Sequence, residues 1–534
     1  MEIKARDQWN WRHFFICFAV AMSMLGFSYP ASIIGTTLAQ PSFYVYMKLL
    51  NSEGLVTSKT NSLIGAMSGV FQAGGVFGIF STTYVMERWG RKAGMIFCAV
   101  TGLLGGIFVC AAQNVGMFIA FKFLAGFSSW SYVAITPVYT AELAPPALRG
   151  LFVGMDGLGI ALGYALATYM GLAFYHSDSS SSQWRGPYGL SLIFTALPFF
   201  TMPFVPESPR WLLLVNRADD AKKVVTKLHK LDRHEEHHFA MVEFYQMQRQ
   251  IEYDRTLNPS YWQMFKRPSY RKRVIMTTAY SILGQSTAVL VINNYGPMLY
   301  SSLGFDTERQ LVLQCGWITC GIAGNLTGAL IMDKIGRKPL MIFGIAGCLV
   351  CLILEAALVA TYATPVPAVP NKAALRAAVA AFYIFIYIYG CGVDVAGIVF
   401  FGEIYPNHLR AKGLAITMSG LCLSSLVYLQ VAPTAFSTIG WKYYLVFISV
   451  CAVGLVWISW VLPETKGVPL EEVAAIFGDQ DEVMVFSNDV QLGENEEELV
   501  VKEHHHGSRD ATATATGEKG EVTPEHRETV VLSV

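Results

Sequence analysis

The chain is 534 residues long and 53% hydrophobic, with only 15% of its residues charged, where a soluble protein averages roughly a quarter. Its 39 basic and 39 acidic residues cancel, so the electrostatic footprint of a nucleic-acid partner is missing.

The apolar residues are gathered into segments of roughly 18–25 residues, long enough to cross a ~30 Å hydrocarbon layer. After a polar N-terminus (1–12), six such segments lie near 13–36, 61–85, 94–112, 116–138, 150–174 and 188–205. The first is too long for a cleavable signal peptide, lacks a small-residue cleavage site and is followed by further spans. A charged, helix-prone loop covers 206–273. Six more spans lie near 274–300, 312–332, 340–361, 377–400, 413–437 and 442–462. The 463–534 tail is acidic and rich in Ser, Thr and Gly from about 479, a composition that predicts disorder. Bilayer lipid is therefore the expected surround. The domains read as 13–205 and 274–462, two six-helix bundles joined by 206–273.

All ten cysteines fall inside predicted spans, where they read as small apolar packing residues and not as a disulfide framework. Lys and Arg cluster at every second loop: Arg88, Arg91 and Lys92; Arg149; Lys266 to Arg273; Lys334, Arg337 and Lys338; Arg410 and Lys412. The positive-inside rule puts those loops and both termini in the cytosol, and the expected location is multi-pass in the plasma membrane.

The two halves repeat. ERWGRK (87–92) returns as DKIGRK (333–338), and PES (206–208) returns as PET (463–465). Glu142, Pro145 and Arg149 return as Glu403, Pro406 and Arg410. Three echoes in one order indicate a duplicated six-span unit, an arrangement in which transporters place the substrate between the repeats near the midplane. With PVYTAELAPPALRG, PESPRWL (206–212), DKIGRK, the Glu403 phrase and PETKGVPLEE (463–472), the chain resembles the sugar porter branch of the major facilitator superfamily. It is most similar to fungal members. The resemblance implies an all-α membrane protein of twelve transmembrane helices in two pseudo-symmetric bundles.

A charge at a membrane boundary must be hydrated or paired. Arg91, Glu142, Arg149, Glu207 and Arg210 are expected to form one ionic network, and Arg337, Glu403, Arg410 and Glu464 its twin. Arg suits this work because its planar fork holds carboxylates bidentately. The resemblance implies that such networks hold the cytosolic ends together in one transport state. Without the repeat, these charges would read as topogenic residues in solvated loops. GxxxG spacings at Gly74–Gly78, Gly102–Gly106, Gly150–Gly154, Gly159–Gly163 and Gly324–Gly328 mark close helix packing.

Other motifs carry little. HEEHH (234–238) fits a zinc-protease pattern but sits in the polar loop without a third ligand or a folded domain. HHH (504–506) lies in the tail. No metal site or cofactor is expected. GxxxxGK[ST] does not occur in the sequence, which disfavours an ATP-driven pump. The Asn325 sequon falls within span eight.

Sugar hydroxyls both donate and accept, so a pocket for them needs amides and aromatics inside the bundle. Against the family pattern, the two span-five Gln positions are Gly157 and Tyr164. Span seven keeps Gln285 but has Leu290 at the usual Asn; Val393 and Ser425 replace a Trp and an Asn. Asn293 and Asn294, about one turn beyond Leu290, are expected to compensate. Tyr164, Gln314, Trp317 and Gln430 are expected to add polar and stacking surface. Proton-coupled members pair a span-one Asp with a span-four Arg; here Pro30 and Lys122 occupy those places. Lys122 and Asp394 are the coupling candidates, should protons be partners. Asp156 and Glu355 are further acids within spans. The reading is a non-enzymatic transporter moving a sugar or related polyol by alternating access. The alternatives are efflux of a hydroxylated secondary metabolite and a non-transporting sugar sensor. An unusually long signalling tail would favour the sensor.

Overall fold

The computed structural model describes residues 10–228 except 53 and 145–148, scattered positions between 244 and 257, then 260–362, 372–466, Phe477 and three strands of the tail. HEEHH (234–238), the ATATATGEKG stretch and the Arg149 side chain lie outside the described residues.

Among the described residues, eleven helical segments are long and apolar enough to cross a membrane. The sixth crossing of the N-terminal half is split into Ser180–Thr195 and Leu197–Thr201, joined at Ala196. Pro198 opens the second piece, in a first helical turn, where proline costs no intrahelical hydrogen bond. Counted together, these pieces complete twelve crossings.

Three spans are irregular near their middles. Span one runs Trp11–Ala21, passes through a 3₁₀ turn at Met22–Met24, and continues as Leu25–Thr37. Span seven is broken between Pro268–Gln285 and Val289–Ser302, with Ala288 at φ 68°, a left-handed conformation that a β-carbon disfavours. Span ten runs Lys372–Tyr389, widens into a π-turn at Gly390–Asp394, and resumes as Val395–Ile404. Spans one and seven hold equivalent places in the repeat.

Small residues set the helix spacing. Gly74 and Gly78 of span two lie against the span-four backbone at Phe123 and Phe127; Gly324 and Gly328 of span eight do the same at Tyr387 and Cys391 of span ten. These GxxxG pairs are packing sites. All ten cysteines are free thiols, and eight are buried. Large apolar side chains such as Phe204, Leu330 and Trp460 remain exposed; that is stable only where lipid is the solvent. Among the described residues of the tail, strands Val490–Leu492, Glu498–His504 and Arg527–Ser533 form an antiparallel sheet in which the middle strand pairs with both others.

Candidate functional site

The charged phrases fold into two matching clusters at one end of the bundle. Gly90 and Gly336 share one backbone conformation, with φ 99° and 107°, in the GRK turns. Each turn aims the first amides of the next helix at a carboxylate. Arg91 N and Lys92 N donate to Glu207 at 2.9 and 3.2 Å; Arg337 N and Lys338 N donate to Glu464, both at 3.0 Å. A carboxylate there satisfies helix N-terminal donors and complements the helix dipole. The arginine side chains reach the second acid. Arg91 Nε and Nη2 each donate to Glu142 at 2.7 Å, and Arg337 Nη2 donates to Glu403 at 2.9 Å.

Each cluster joins helices of its own half. Among the described residues, the ion pair linking the two halves at this end is Lys412 to Glu87 at 3.5 Å. Arg210 lies near Glu142, and Arg410 Nη2 donates to the Tyr405 carbonyl at 3.4 Å.

Between the halves lies a cavity of about 1080 Å³, its open mouth included. Of the expected residues, Gln285, Asn293, Tyr164, Trp317 and Asp394 line it, and Leu290 contributes an apolar stretch of wall. The break in span seven separates Gln285 from Asn293 and presents both to the cavity, the use that transporters make of discontinuous helices. Trp130, Phe27, Tyr280 and Tyr389 add aromatic surface, and Asn325 adds an amide. Asn325 stands near Asp394. It was visible in the sequence as an amide inside a span, which is expensive without a role.

Four residues singled out in the sequence lie outside the lining of this cavity. Asn294 is buried but faces away from the cavity, because consecutive helical residues point about 100° apart. Its backbone packs on Gly35 of span one. Gln314 braces span seven by donating from Nε2 to the Asn293 carbonyl at 3.1 Å. Gln430 is wedged across the halves against Gly65 and Gly69 of span two. Lys122 lies in a second, smaller cavity with Pro30, Ser129 and Tyr188. There its Nζ donates to the Pro30 carbonyl at 3.2 Å and sits over the Phe71 and Tyr188 rings. Among the described residues, no acid lines that second cavity.

At the end opposite the charged clusters the halves are in contact. Ser32 Oγ donates to Asn293 Oδ1 at 3.4 Å, Tyr169 and Thr319 share a hydrogen bond of 2.8 Å, and Gln430 fills the span-two groove. Toward the charged end, space continues. A β-carbon on Gly157 or Gly402 would meet nothing within 4 Å, and helical spacing places these glycines next to the cavity residues Ala161 and Ile398.

A family model described as "Sugar (and other) transporter" matches residues 16–477. The MFS-type transporter criB of Aspergillus cristatus is 28% identical over 460 residues, covering 86% of this chain and 91% of that protein. A quinate permease of Neurospora africana is 27% identical over 494 residues, covering 88% and 89%. Among solved structures, the proton:xylose symporter XylE bound to 6-bromo-6-deoxy-D-glucose aligns with a TM-score of 0.75 at 21% identity, covering 88% of this chain and 100% of that one. The inward open conformation of XylE from E. coli aligns at 0.67 with 20% identity, covering 87% and 99%. The likeness to XylE is one of fold.

Proposed function

The chain belongs to the sugar (and other) transporter family, and on that premise we propose that it carries a single sugar-like ring across the membrane by alternating access. The observation that carries this reading is the cavity between the two halves, bordered by the broken span seven and supplied with amides from Gln285, Asn293 and Asn325. An amide both donates and accepts, as a hydroxyl requires. Tyr164 from one half and Trp317 from the other both line the cavity and offer stacking surface for a ring. The basic clusters support a cytosolic placement for the charged end, so the halves meet at the outer end and the cavity leads inward. Both termini are then cytosolic, and the plasma membrane is the proposed location.

Transport is facilitated diffusion in this reading. Pro30 leaves Lys122 without a carboxylate partner, so the coupling pair that the family resemblance implies is missing its acid. Asp394 is the acid placed to take over, should a proton be carried.

Radiolabelled uptake by a transporter-null cell, across a panel of hexoses, disaccharides and polyols, tests the cargo. At least one should enter saturably and exchange in counterflow; no movement of any member would sink the sugar reading. Accumulation of an uncharged, non-metabolised cargo, abolished by a protonophore, would overturn uniport. The strongly aromatic wall favours efflux of a hydroxylated secondary metabolite as the second reading.

A further inference from the structure

Among the described residues, Asp394 is the one charged residue lining the central cavity, and no Lys, Arg or His shares the lining. Buried basic residues of both halves lie elsewhere. Arg91 and Arg337 are held by Glu142 and Glu403 at the charged end, and Lys122 lies in the separate cavity. Asn325 stands near Asp394 as a neutral amide and is not a counter-charge. Around the carboxylate stand Tyr164 from one half and Tyr280 and Tyr389 from the other, all within electrostatic range of it. The π-turn at Gly390–Asp394 turns this acid into the cavity; such turns are frequent at functional sites.

A carboxylate held partly buried inside the bundle without a counter-ion is costly. Ring faces with negative quadrupoles worsen that cost for an anion and lower it for a cation. We infer that the cargo is a hydroxylated ring bearing a protonated amine, whose ammonium bonds to Asp394 between Tyr164, Tyr280 and Tyr389 while its hydroxyls take the Gln285 and Asn293 amides. A carboxylated polyol has no cation to meet it here and is excluded by like charge. This rests on the sugar-ring reading above and adds the sign of the charge.

The test uses the full-length protein in proteoliposomes and three hexoses differing in charge: glucosamine, glucose and glucuronate, at neutral pH, where the amine is still largely protonated. Binding is read by quenching of tryptophan fluorescence, since Trp130 and Trp317 line the cavity. A charge-assisted hydrogen bond exceeds a neutral one by enough to make glucosamine bind about tenfold more tightly than glucose, with glucuronate failing to compete. Under an inside-negative potential of about 100 mV, labelled glucosamine should accumulate about 50-fold while glucose only equilibrates. In Asp394→Asn the glucosamine preference should fall to near unity.

Equal wild-type binding of glucose and glucosamine, or competition by glucuronate, overturns the amine assignment while leaving the sugar-ring reading in place. Failure of all three hexoses to bind or move overturns both. The wild-type comparisons decide the matter even if Asp394→Asn does not fold.

Discussion

Asn293 and Asn294 are one position apart in sequence and do different work. Asn293 lines the cavity and accepts from Ser32 across the seam, whereas Asn294 is buried against span one. Removing one neutral hydrogen bond costs about 0.5–1.5 kcal/mol, roughly a 2- to 13-fold loss of affinity. Asn293→Ala and Gln285→Ala should each weaken cargo binding by that factor in an equilibrium titration. Asn294→Ala should leave affinity near wild type and instead lower thermal stability. If Asn294→Ala weakens binding while Asn293→Ala does not, the facing of this helix has been misassigned. Leu290 and Gly157 are where the wall lacks polar groups that the family resemblance implies. A side chain at Gly157 would enter open space, so Leu290→Asn with Gly157→Gln should improve glucose binding, measured in the same titration. The residue types needed for a polyol site were legible in the sequence, since amides and aromatics inside apolar spans stand out. Their direction was not. Gln314 and Gln430 have suitable chemistry and face helix backbones, which only the packing of neighbouring spans decides.

At the scale of the helix, hydropathy located the spans, because crossing the bilayer fixes length and apolarity, but it left their ends off by as much as the gap between 188 and Ser180 in span six. It did not locate the breaks. The left-handed residue in span seven is an alanine, so neither Gly nor Pro marks the interruption. In span six, by contrast, Pro198 was a readable signal. The strain at Ala288 leads to a prediction. A β-carbon in the left-handed region costs about 1–2 kcal/mol, offset by the greater chain entropy that Gly loses on folding, about 0.5–1 kcal/mol. Ala288→Gly should therefore stabilise the broken helix by up to about 1 kcal/mol and raise the melting temperature in detergent. Ala288→Val, β-branched at a positive φ, should lower it. A higher melting temperature for the valine variant would mean that span seven is continuous in the dominant state. The GRK turns make the converse case. Gly90 has φ 99°, and a β-carbon there would lie 2.6 Å from a Glu207 carboxylate oxygen, so Gly90→Ala should disrupt the amide cap on span three and reduce folded yield.

For the whole molecule, the repeat visible in the charged phrases became a repeat in space, with the same turn, the same amide-to-carboxylate cap and the same Arg–Glu pair in each half. The sequence could not tell whether these pairs act within or between halves, because that depends on the direction in which each arginine leaves its turn. They act within. Glu142→Ala would leave Arg91 short of its partner at a buried position, at a cost of about 1–3 kcal/mol, or 5- to 150-fold in a two-state population. It should cut transport at normal surface expression, as should Glu403→Ala. Full activity in the double variant would show that neither cluster matters to the cycle. Motion between the halves has a different signature, at the opposite end. Gln430 of span eleven sits over Gly69 of span two, so close that a β-carbon built on Gly69 would lie 3.2 Å from Gln430 Cβ. That is near the ~3.5–4.5 Å separation of a disulfide. The pair Gly69→Cys with Gln430→Cys should therefore cross-link under mild oxidation and hold the halves together at that end. Alternating access requires this contact to open once per cycle, so the cross-linked carrier should stop transporting, and reduction should restore it. The ten native thiols are mostly buried, which leaves the engineered pair as the main oxidation target, and each single variant controls for the rest. If the oxidised, cross-linked protein transports at the rate of the reduced one, the seam between spans two and eleven stays closed throughout the cycle, and the halves must part elsewhere.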